Sequence, residues 1–495
     1  MNINFDNTYA ALPSRFYSPR EPEPVSAPQT IKVNDELARR LGFDPRWLRS
    51  EQGAQFIVGN ELLEGSEPIA MVYAGHQFGN WVPRLGDGRA LLLGEVVADD
   101  GQRFDIQLKG SGRTPYSRSG DGRAPLGPVL REYLVAEAMA ALGVPTTRAL
   151  AAASTGDTVL RERALPGAVL VRVAKSHIRI GTFEYFASQG DAKAIALLLN
   201  HTMDRHYPEL QRESFIALLD AFADRLAELV ARWQLLGFIH GVMNTDNMLL
   251  SGETVDYGPC AFMNEYDPET VFSSIDRYGR YAYGNQPAIA QWNLSRLAQS
   301  LLVAVGAEAD SDEAKDIFLN EAQAVVDAFP DRFRKAYRKG MARKLGLGPY
   351  RDEYWPLIED LLGVMADTRS DYTLTFRRLM AQLSTETEHE DLAEELFSLD
   401  QAFDPWLARL KAHLDDAPLD LHESLEMMAA ENPVFIPRNY LVEEALQEAA
   451  EHQDYTAFHE LHDVLSEPFT YRSAHHRFAL PPEPDQCVGA TFCGT

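Results

Sequence analysis

A group of oxygen-bearing side chains stands out between positions 246 and 256. Asp246 and Asn247 are adjacent, and Asp256 follows them in the tripeptide Asp-Tyr-Gly. Carboxylate and amide oxygens are the ligands that Mg²⁺ and Mn²⁺ prefer in proteins. A carboxylate beside such a metal is also suited to take a proton from an attacking hydroxyl. We therefore expect Asn247 and Asp256 to bind a divalent metal and Asp246 to act as the general base.

The surrounding segment, GFIHGVMNTDNMLL, follows a long predicted helix. Its His240 precedes Asn247 by the same seven residues that separate His and Asn in the kinase catalytic loop H-R-D-x-x-x-x-N. A kinase places its catalytic Asp at the third position of this loop, where this chain has Val242. Because valine cannot accept a proton, Asp246 is the nearby carboxylate able to replace that base.

A possible phosphate-binding part lies earlier in the chain. The loop LGDGR contains Gly86, Gly88 and Arg89 and comes just before an apolar run. Glycine lets the backbone approach phosphate oxygens closely, and Arg supplies a forked donor. Lys109 ends a predicted strand, and Glu132 follows on a predicted helix. Kinases hold nucleotide phosphates with this order of loop, Lys and helical Glu. Taken alone, the loop is also explained as a plain tight turn, and the Lys and Glu as two unrelated surface charges.

Further candidates for binding a polyphosphate are Arg172 and Arg179, seven residues apart across a predicted strand and its exit. Arginines of this kind also pair with surface carboxylates, so that alternative stays open. The pentapeptide GDGRA occurs at positions 86–90 and again at 120–124. The second copy, with Asp121 and Gly122, offers backbone N–H groups of the same kind.

The elements that must position these residues form two regions. Up to about residue 175 the chain is rich in Gly and short apolar runs, and it is helical from about residue 190, which favours an α+β, two-lobed architecture. Residues 1–65 contain several prolines and are expected to be irregular apart from one short helix. We predict strands at Ala90–Val97 and Phe104–Leu108, and helices at Asp35–Leu41, Pro128–Leu142, Ser214–Leu236, Ala288–Val305, Ser311–Ala328, Arg332–Leu345, Trp355–Met365 and 440–465, followed by a tail.

Composition excludes several classes of protein. The net charge of -27 argues against a protein that coats nucleic acid. The sequence contains no run of about 18 apolar residues that would predict a membrane span, and its first residues do not resemble a signal peptide. We therefore expect a cytoplasmic protein. We also expect a monomer. Three cysteines, Cys260, Cys487 and Cys493, are too few for a disulfide scaffold and lack the spacing of a zinc site.

Four longer motifs identify a family. They are GHQFGNWVPRLGDGRALLLGE (75–95), LKGSGRTPYSRSGDGRAPL (108–126), REYLVAEAMAALGVPTTRAL (131–150), and GVMNTDNMLL (241–250) with DYGP (256–259). Together they resemble the selenoprotein O family of pseudokinases in its bacterial form. The resemblance runs over most of the chain, from about residue 5 to the C-terminal CGT.

The resemblance implies a bilobal protein-kinase-like fold, with a strand-rich N-lobe at 66–180 and a helical C-lobe at 181–440 between extensions at 1–65 and 441–495. It implies a protein adenylyltransferase, with ATP as substrate, in which a Ser, Thr or Tyr hydroxyl of a protein attacks the α-phosphate and pyrophosphate leaves. Asp246 would accept the proton, Asn247 and Asp256 would hold Mg²⁺ or Mn²⁺, and Glu132 would pair with Lys109. The nucleotide would be held by Gly86, Gly88, Arg89, Lys109, Asp121, Gly122, Arg172, Arg179 and Asp256.

Some relatives form a disulfide between a C-terminal Cys and a Cys after the Asp-Tyr-Gly segment. This chain reads VFS at 271–273, where that second Cys is expected, so Cys260 is the remaining candidate partner for Cys493. Three alternatives to AMP transfer stay open: UMP transfer from UTP with Mn²⁺, a phosphotransferase that uses Asp246 as base, and a catalytically silent nucleotide-binding scaffold.

Overall fold

The computed structural model describes residues 1, 3–210, 214–308, 312–384, 396 and 398–491. Its main sheet lies in the first part of the chain and has the strand order β1-β3-β6-β7-β10-β9-β2, with β8 paired to β10. Two small sheets pair β4 with β5 and β11 with β12. The strands are β1 Tyr17–Pro19, β2 Gln29–Val33, β3 Ile69–Met71, β4 Gly75–Gln77, β5 Asn80–Val82, β6 Ala90–Val97, β7 Arg103–Lys109, β8 Ala124–Pro125, β9 Arg148–Leu160, β10 Ala164–Ala174, β11 Phe238–Ile239 and β12 Ala261–Phe262.

The second part of the chain is mainly helical, so the predicted order of a strand-rich part followed by a helix-rich part is confirmed. The helices are α1 Asp35–Arg40, α2 Pro45–Leu48, α3 Glu51–Val58, α4 Leu126–Ala141, α5 Ile180–Ser188, α6 Ala192–His206, α7 Phe215–Leu235, α8 Gln286–Glu308, α9 Asp312–Lys344, α10 Trp355–Asp367, α11 Tyr372–Leu383, α12 Asp404–Asp415, α13 Leu421–Glu431, α14 Asn439–His452, α15 Thr456–Leu465 and α16 His476–Ala479. Within the described residues, no helix is both long and apolar enough to cross a membrane.

The main sheet is covered on both faces. Along β10, Val169 and Val171 pack into the apolar cluster that contains α3 residues, whereas Ala168 and Leu170 pack into the cluster that contains α4 residues. Successive side chains of a strand point to opposite faces, so both faces of this strand need apolar residues. The near-continuous apolar sequence of β10 follows from this double burial.

The predicted helix before position 143 and the strand ALLLGEVV are confirmed. The strand occupies Ala90–Val97 as predicted, while α4 begins two residues earlier than expected, at Leu126, and ends before Gly143. Gly143 has a φ of 74°, a left-handed conformation that favours glycine after a helix.

The prediction that residues 1–65 are irregular apart from one short helix is wrong. The strand β1 pairs with β3, and β2 pairs with β9 at an edge of the main sheet. Pro13 precedes β1, Pro19 ends β1, and Pro22, Pro24 and Pro28 lie between β1 and β2, so none of these prolines interrupts a strand.

The prediction of two helices separated near Pro330 is also wrong, because α9 continues through this residue. A proline removes the hydrogen bond to the carbonyl four residues earlier, which here belongs to Val326. Gln291 on α8 donates its side-chain N–H to that carbonyl at 2.9 Å. The packing of α8 on α9 therefore compensates for the missing bond. Residue 311, the predicted start, lies outside the described residues.

The C-terminal tail packs more closely than its prolines suggest. Phe478 and Ala479 are buried in the cluster that includes α4 and α14. Further on, Thr491 donates its backbone N–H to Phe272 at 2.7 Å and accepts from Ser274 at 3.0 Å. The tail therefore holds the segment around position 273.

Candidate functional site

Asp246 lies in a short 3-10 helix, Thr245–Asn247, that follows α7 and β11. Asp246 is 8% exposed, and one of its carboxylate oxygens, Oδ1, has no hydrogen-bond partner among the described residues. The other oxygen accepts a weak contact from Gln77 Nε2 at 3.4 Å. Burial raises the pKa of Asp246 to about 6, against the opposing effect of the Arg179 charge. This carboxylate is well suited to exchange a proton near neutral pH.

Arg179 is buried and its guanidinium bonds the backbone carbonyl of Asp246. The same guanidinium stacks 4.5 Å over the Tyr73 ring, and its Nε has no partner. Arg179 therefore positions the loop that carries Asp246 and keeps one donor available. The alternative that Arg179 pairs with a surface carboxylate does not fit a side chain that is buried between a carbonyl and an aromatic ring.

Asn247 and Asp256, the predicted metal ligands, line the same cavity. Asn247 donates its Nδ2 to the Val242 carbonyl at 3.0 Å, which leaves its side-chain oxygen available as a ligand. Asp256 adopts a φ of 70° and its Oδ1 lies 2.8 Å from Lys109 Nζ. Burial alone would raise the pKa of Asp256, but the Lys109, Arg89 and Arg172 charges outweigh it and lower that pKa. Asp256 is therefore ionised.

Lys109, at the end of β7, joins two carboxylates. It forms a close ion pair with Glu132 on α4 in addition to its contact with Asp256. Arg172 on β10 lies 3.1 Å from the other Glu132 oxygen and donates to Gln107. The predicted pairing of Lys109 with Glu132 is present, and Arg172 belongs to the same buried network.

Both GDGRA loops line the cavity, and each contains a glycine in a left-handed backbone conformation. Gly86 has a φ of 69°, and a Cβ there would lie 2.3 Å from the Tyr116 ring. Gly122 has a φ of 68°, and a Cβ there would lie 1.9 Å from the Gly112 carbonyl. Only glycine fits either position without a shift of the backbone. Next to Gly122, Asp121 is paired with Arg161 at 2.9 Å, so its carboxylate holds the loop and an arginine together.

These residues enclose a cavity of about 300 Å³ between the sheet and the helical part. All of the predicted nucleotide and metal residues line it, while Glu132 lies behind Lys109. Basic lining residues outnumber acidic ones, although the whole chain is strongly acidic. The cations are Arg89, Lys109, Arg118, Arg123, Arg161, Arg172 and Arg179, and the carboxylates are Asp87, Asp121, Asp246 and Asp256. Such a charge balance favours a polyphosphate with a metal ion.

The described residues hold no group of three or more His, Cys, Asp or Glu side chains that could bind a metal alone. One amide and one carboxylate, Asn247 and Asp256, fit a Mg²⁺ or Mn²⁺ ion whose remaining ligands are phosphate oxygens and water. The protein side of the site is therefore consistent with a metal that arrives with a nucleotide.

Sequence reasoning missed several residues of the site. Gln77 contacts Asp246, and Asn244 accepts hydrogen bonds from Phe78 N at 3.0 Å and Tyr281 Oη at 2.7 Å. Arg161, the partner of Asp121, also lines the cavity. The motif GHQFGNW contains Gln77, but its spacing along the chain carries no indication of contact with Asp246.

The two described cysteines, Cys260 and Cys487, do not line the cavity. Cys260 is buried, and burial raises the pKa of its thiol to about 11, so the thiol is protonated at neutral pH. Thr491 in the tail bonds the carbonyl of Pro259, the residue before Cys260. Cys493 lies outside the described residues, so its pairing with Cys260 stays a prediction.

Comparison with known proteins identifies the family of this chain. A family model described as "Protein adenylyltransferase SelO" matches residues 1–466. The chain is 53% identical to the protein nucleotidyltransferase YdiU of Rhodopseudomonas palustris (strain BisB5) over 497 residues, covering all of both chains. It is also 53% identical to the YdiU protein of Rhizobium meliloti (strain 1021), over all of this chain and 99% of the relative. The chain therefore belongs to the SelO family and is a nucleotidyltransferase.

Proposed function

We propose that this chain transfers AMP from ATP to Ser, Thr or Tyr hydroxyls of other proteins and releases pyrophosphate. The observation that carries the proposal is Asp246, a buried carboxylate with a raised pKa and an unpartnered oxygen, in a cavity where cations predominate. Val242 occupies the position of a kinase base and also lines this cavity. The name of the matching family supplies the choice of AMP.

In this account the hydroxyl oxygen of the acceptor attacks the α-phosphorus of ATP. The bond between that phosphorus and the bridging oxygen to the β-phosphate breaks, and pyrophosphate leaves with the bond's electron pair. The hydroxyl proton passes to the Asp246 carboxylate. Lys109, Arg172 and Arg179 neutralise the developing phosphate charge, which is the main contribution a protein makes to such a transfer.

A Mg²⁺ or Mn²⁺ ion would be held by Asn247 and Asp256. When bound, the ion supplies charge neutralisation at the phosphates. Separate contacts act on the two proposed metal ligands. The Val242 carbonyl orients the Asn247 amide, and the Lys109 charge keeps Asp256 ionised. Asp256 must then share its oxygens between Lys109 and the ion.

We further propose that the two parts of the chain correspond to the lobes of a protein kinase, with an N-lobe at 66–180 and a C-lobe at 181–440. The order of the loop, Lys109, the α4 Glu132, His240 and Asp256 supports this proposal. His240 is buried and its Nε2 lies 3.0 Å from the Val255 carbonyl, so it braces the segment before Asp256. The extensions at 1–65 and 441–495 would complete this arrangement. A protein of this kind is expected to act in the cytoplasm as a monomer.

Analysis of the small products tests the proposed reaction. The chain is incubated with an acceptor protein and ATP or UTP, with Mg²⁺ or Mn²⁺, and nucleotide products are separated. The proposal expects acceptor-dependent pyrophosphate from ATP. ADP instead of pyrophosphate would indicate a phosphotransferase, a clear preference for UTP with Mn²⁺ would indicate UMP transfer, and binding without turnover would indicate a silent scaffold.

A further inference from the structure

A second cavity, of about 620 Å³, adjoins the site on the helical side. We call it the hairpin groove, because one wall is the turn between β4 and β5, with Phe78 and Asn80, and the other is formed by residues 275–289. The latter wall includes Ile275, Arg277 and Tyr278. No residue predicted from the sequence to bind nucleotide or metal lines this groove.

The groove presents apolar side chains to solvent. Tyr278 is 98% exposed and Ile275 is 61% exposed. On the adjoining strand β5, Trp81 is 40% exposed. Large apolar side chains that are exposed together often mark a surface that binds another molecule.

The hairpin groove is linked to the first cavity through two short connections. Gln77 contacts Asp246 in the first cavity, and the next residue, Phe78, lines the groove. Asn244 lines the first cavity and accepts hydrogen bonds from Phe78 N and from Tyr281 on the other wall. These two contacts therefore place the hairpin groove next to Asp246.

The walls are held in place before anything binds. Asp276 accepts the backbone N–H groups of Arg280 at 2.9 Å and Tyr281 at 2.7 Å, which fixes the turn that carries Tyr278. Thr491 of the tail pairs with the backbone on both sides of Ser273. A preformed wall lowers the ordering cost of binding a flexible partner.

The charge of the groove indicates what kind of segment it binds. Arg277 is exposed, and no carboxylate among the described residues pairs with it. Asp276 is the acidic lining residue, and its two oxygens are taken by the turn. The groove therefore combines exposed apolar side chains with the arginines Arg277 and Arg280, which complements an apolar side chain beside a carboxylate.

We propose that the hairpin groove binds the protein acceptor along the segment that flanks the modified hydroxyl. The acceptor places a large apolar side chain against Ile275 and Tyr278 and an Asp or Glu at Arg277. This inference rests on the proposed transfer to protein hydroxyls, and it adds the sequence preference by which acceptors are selected.

An arrayed peptide library tests the proposal. Each peptide carries one Ser, Thr or Tyr, one flanking position is varied at a time, and label from α-labelled ATP is counted. The wild-type chain is expected to favour a large apolar residue at one flanking position and an acidic residue at another. Arg277→Glu should change the acidic preference to a basic one, while Arg163→Glu, a change at another exposed arginine, should leave the preference as it is.

A second pair of variants tests the apolar wall. Ile275→Asp should raise the KM for the preferred peptide at least about tenfold, since it removes the burial of a large apolar group. Ile317→Asp is the matched control, because Ile317 is a similarly exposed isoleucine, at 52%, outside the groove. Equal peptide preference and KM in wild type, Arg277→Glu and Ile275→Asp would overturn the groove proposal. Absence of α-label on any peptide or acceptor protein with the wild-type chain would instead contradict the proposed function.

Discussion

Lys109 Nζ lies 2.8 Å from Asp256 Oδ1, joining the end of β7 to the segment that follows β11. Asp256 reaches this contact with a φ of 70°, a backbone conformation that costs a non-glycine residue roughly 1–3 kcal/mol. The surrounding structure maintains that conformation, and it directs the carboxylate into the cavity. The contact therefore couples the proposed phosphate-binding part of the site to the proposed metal-binding part.

Asp256→Asn should nearly abolish transfer. The amide is a weaker metal ligand and carries no charge to balance Lys109, so the loss is expected to be about 100-fold or more in kcat. Steady-state rates over a range of Mg²⁺ and Mn²⁺ concentrations measure it. Asp99→Asn, which changes an exposed carboxylate, is the control and should retain wild-type rates. Full activity of Asp256→Asn at low metal concentration would contradict the assignment of the ligand.

Lys109→Met should raise the KM for ATP by about tenfold or more, because a partly buried cation that contacts two carboxylates is lost from the cavity. Glu132→Gln should raise the KM for ATP by a smaller factor. Arg172 and Lys109 both lose a charged partner in this variant, but both cations remain in the cavity. The double variant measures the coupling between the pair. Losses that simply add would show that Glu132 does not position Lys109.

This network could be predicted from the sequence because its parts follow a recognisable order. The glycine loop, Lys109, Glu132 and Asp256 follow one another in the order that protein kinases use. The contribution of Arg172 to the same network could not be predicted in detail. Its Glu132 partner lies on a different element, and only the packing of α4 on β10 brings them together.

Transfer should depend on pH through Asp246. Burial raises the pKa of this carboxyl to about 6, and only the ionised form accepts a proton. The rate kcat/KM should therefore fall as pH decreases through about 6 and level off above it. The pKa of Asp256 is lowered, so Asp256 stays ionised across this range. A profile that is flat from about pH 5 to 8 would place the base elsewhere.

Asp246→Asn is the matching variant for the pH profile. It removes the base while keeping the size of the side chain, so transfer should fall by about 100-fold or more. The residual rate should lose the acid limb of the profile. ATP binding, measured by the change in fluorescence of a labelled nucleotide, should persist because the phosphate-binding cations are intact.

Gly86→Ala should weaken ATP binding and lower the Tm. Its new Cβ would meet the Tyr116 ring at 2.3 Å in a left-handed backbone conformation. Gly101→Ala is a matched control, because Gly101 has a similar φ of 79° but nothing lies within 4 Å of its Cβ position. The control should lose only roughly 1–2 kcal/mol of stability from the strained backbone and keep its affinity for ATP. Equal losses of affinity in both variants would show that the tight fit at Gly86 is unimportant.

The features that sequence reasoning missed depend on contacts between distant segments. Gln77 and Asp246 are separated by 169 positions, and no local pattern relates them. The continuity of α9 through Pro330 similarly depends on Gln291 of a neighbouring helix. The prolines near β1 and β2 indicated an irregular segment, but they lie before, between or at the end of these strands. Local patterns indicated the chemistry of the site, whereas these supports require the folded chain.

The measurement that tests the central proposal most directly compares ATP labelled at the α-phosphate with ATP labelled at the γ-phosphate. Both are incubated with the chain, an acceptor protein and Mg²⁺ or Mn²⁺, and label on the protein is counted. AMP transfer predicts protein-bound label from the α position and none from the γ position, with the α signal lowered by about 100-fold or more in Asp246→Asn. Label on protein from the γ position alone would contradict the account and indicate an ordinary phosphotransferase.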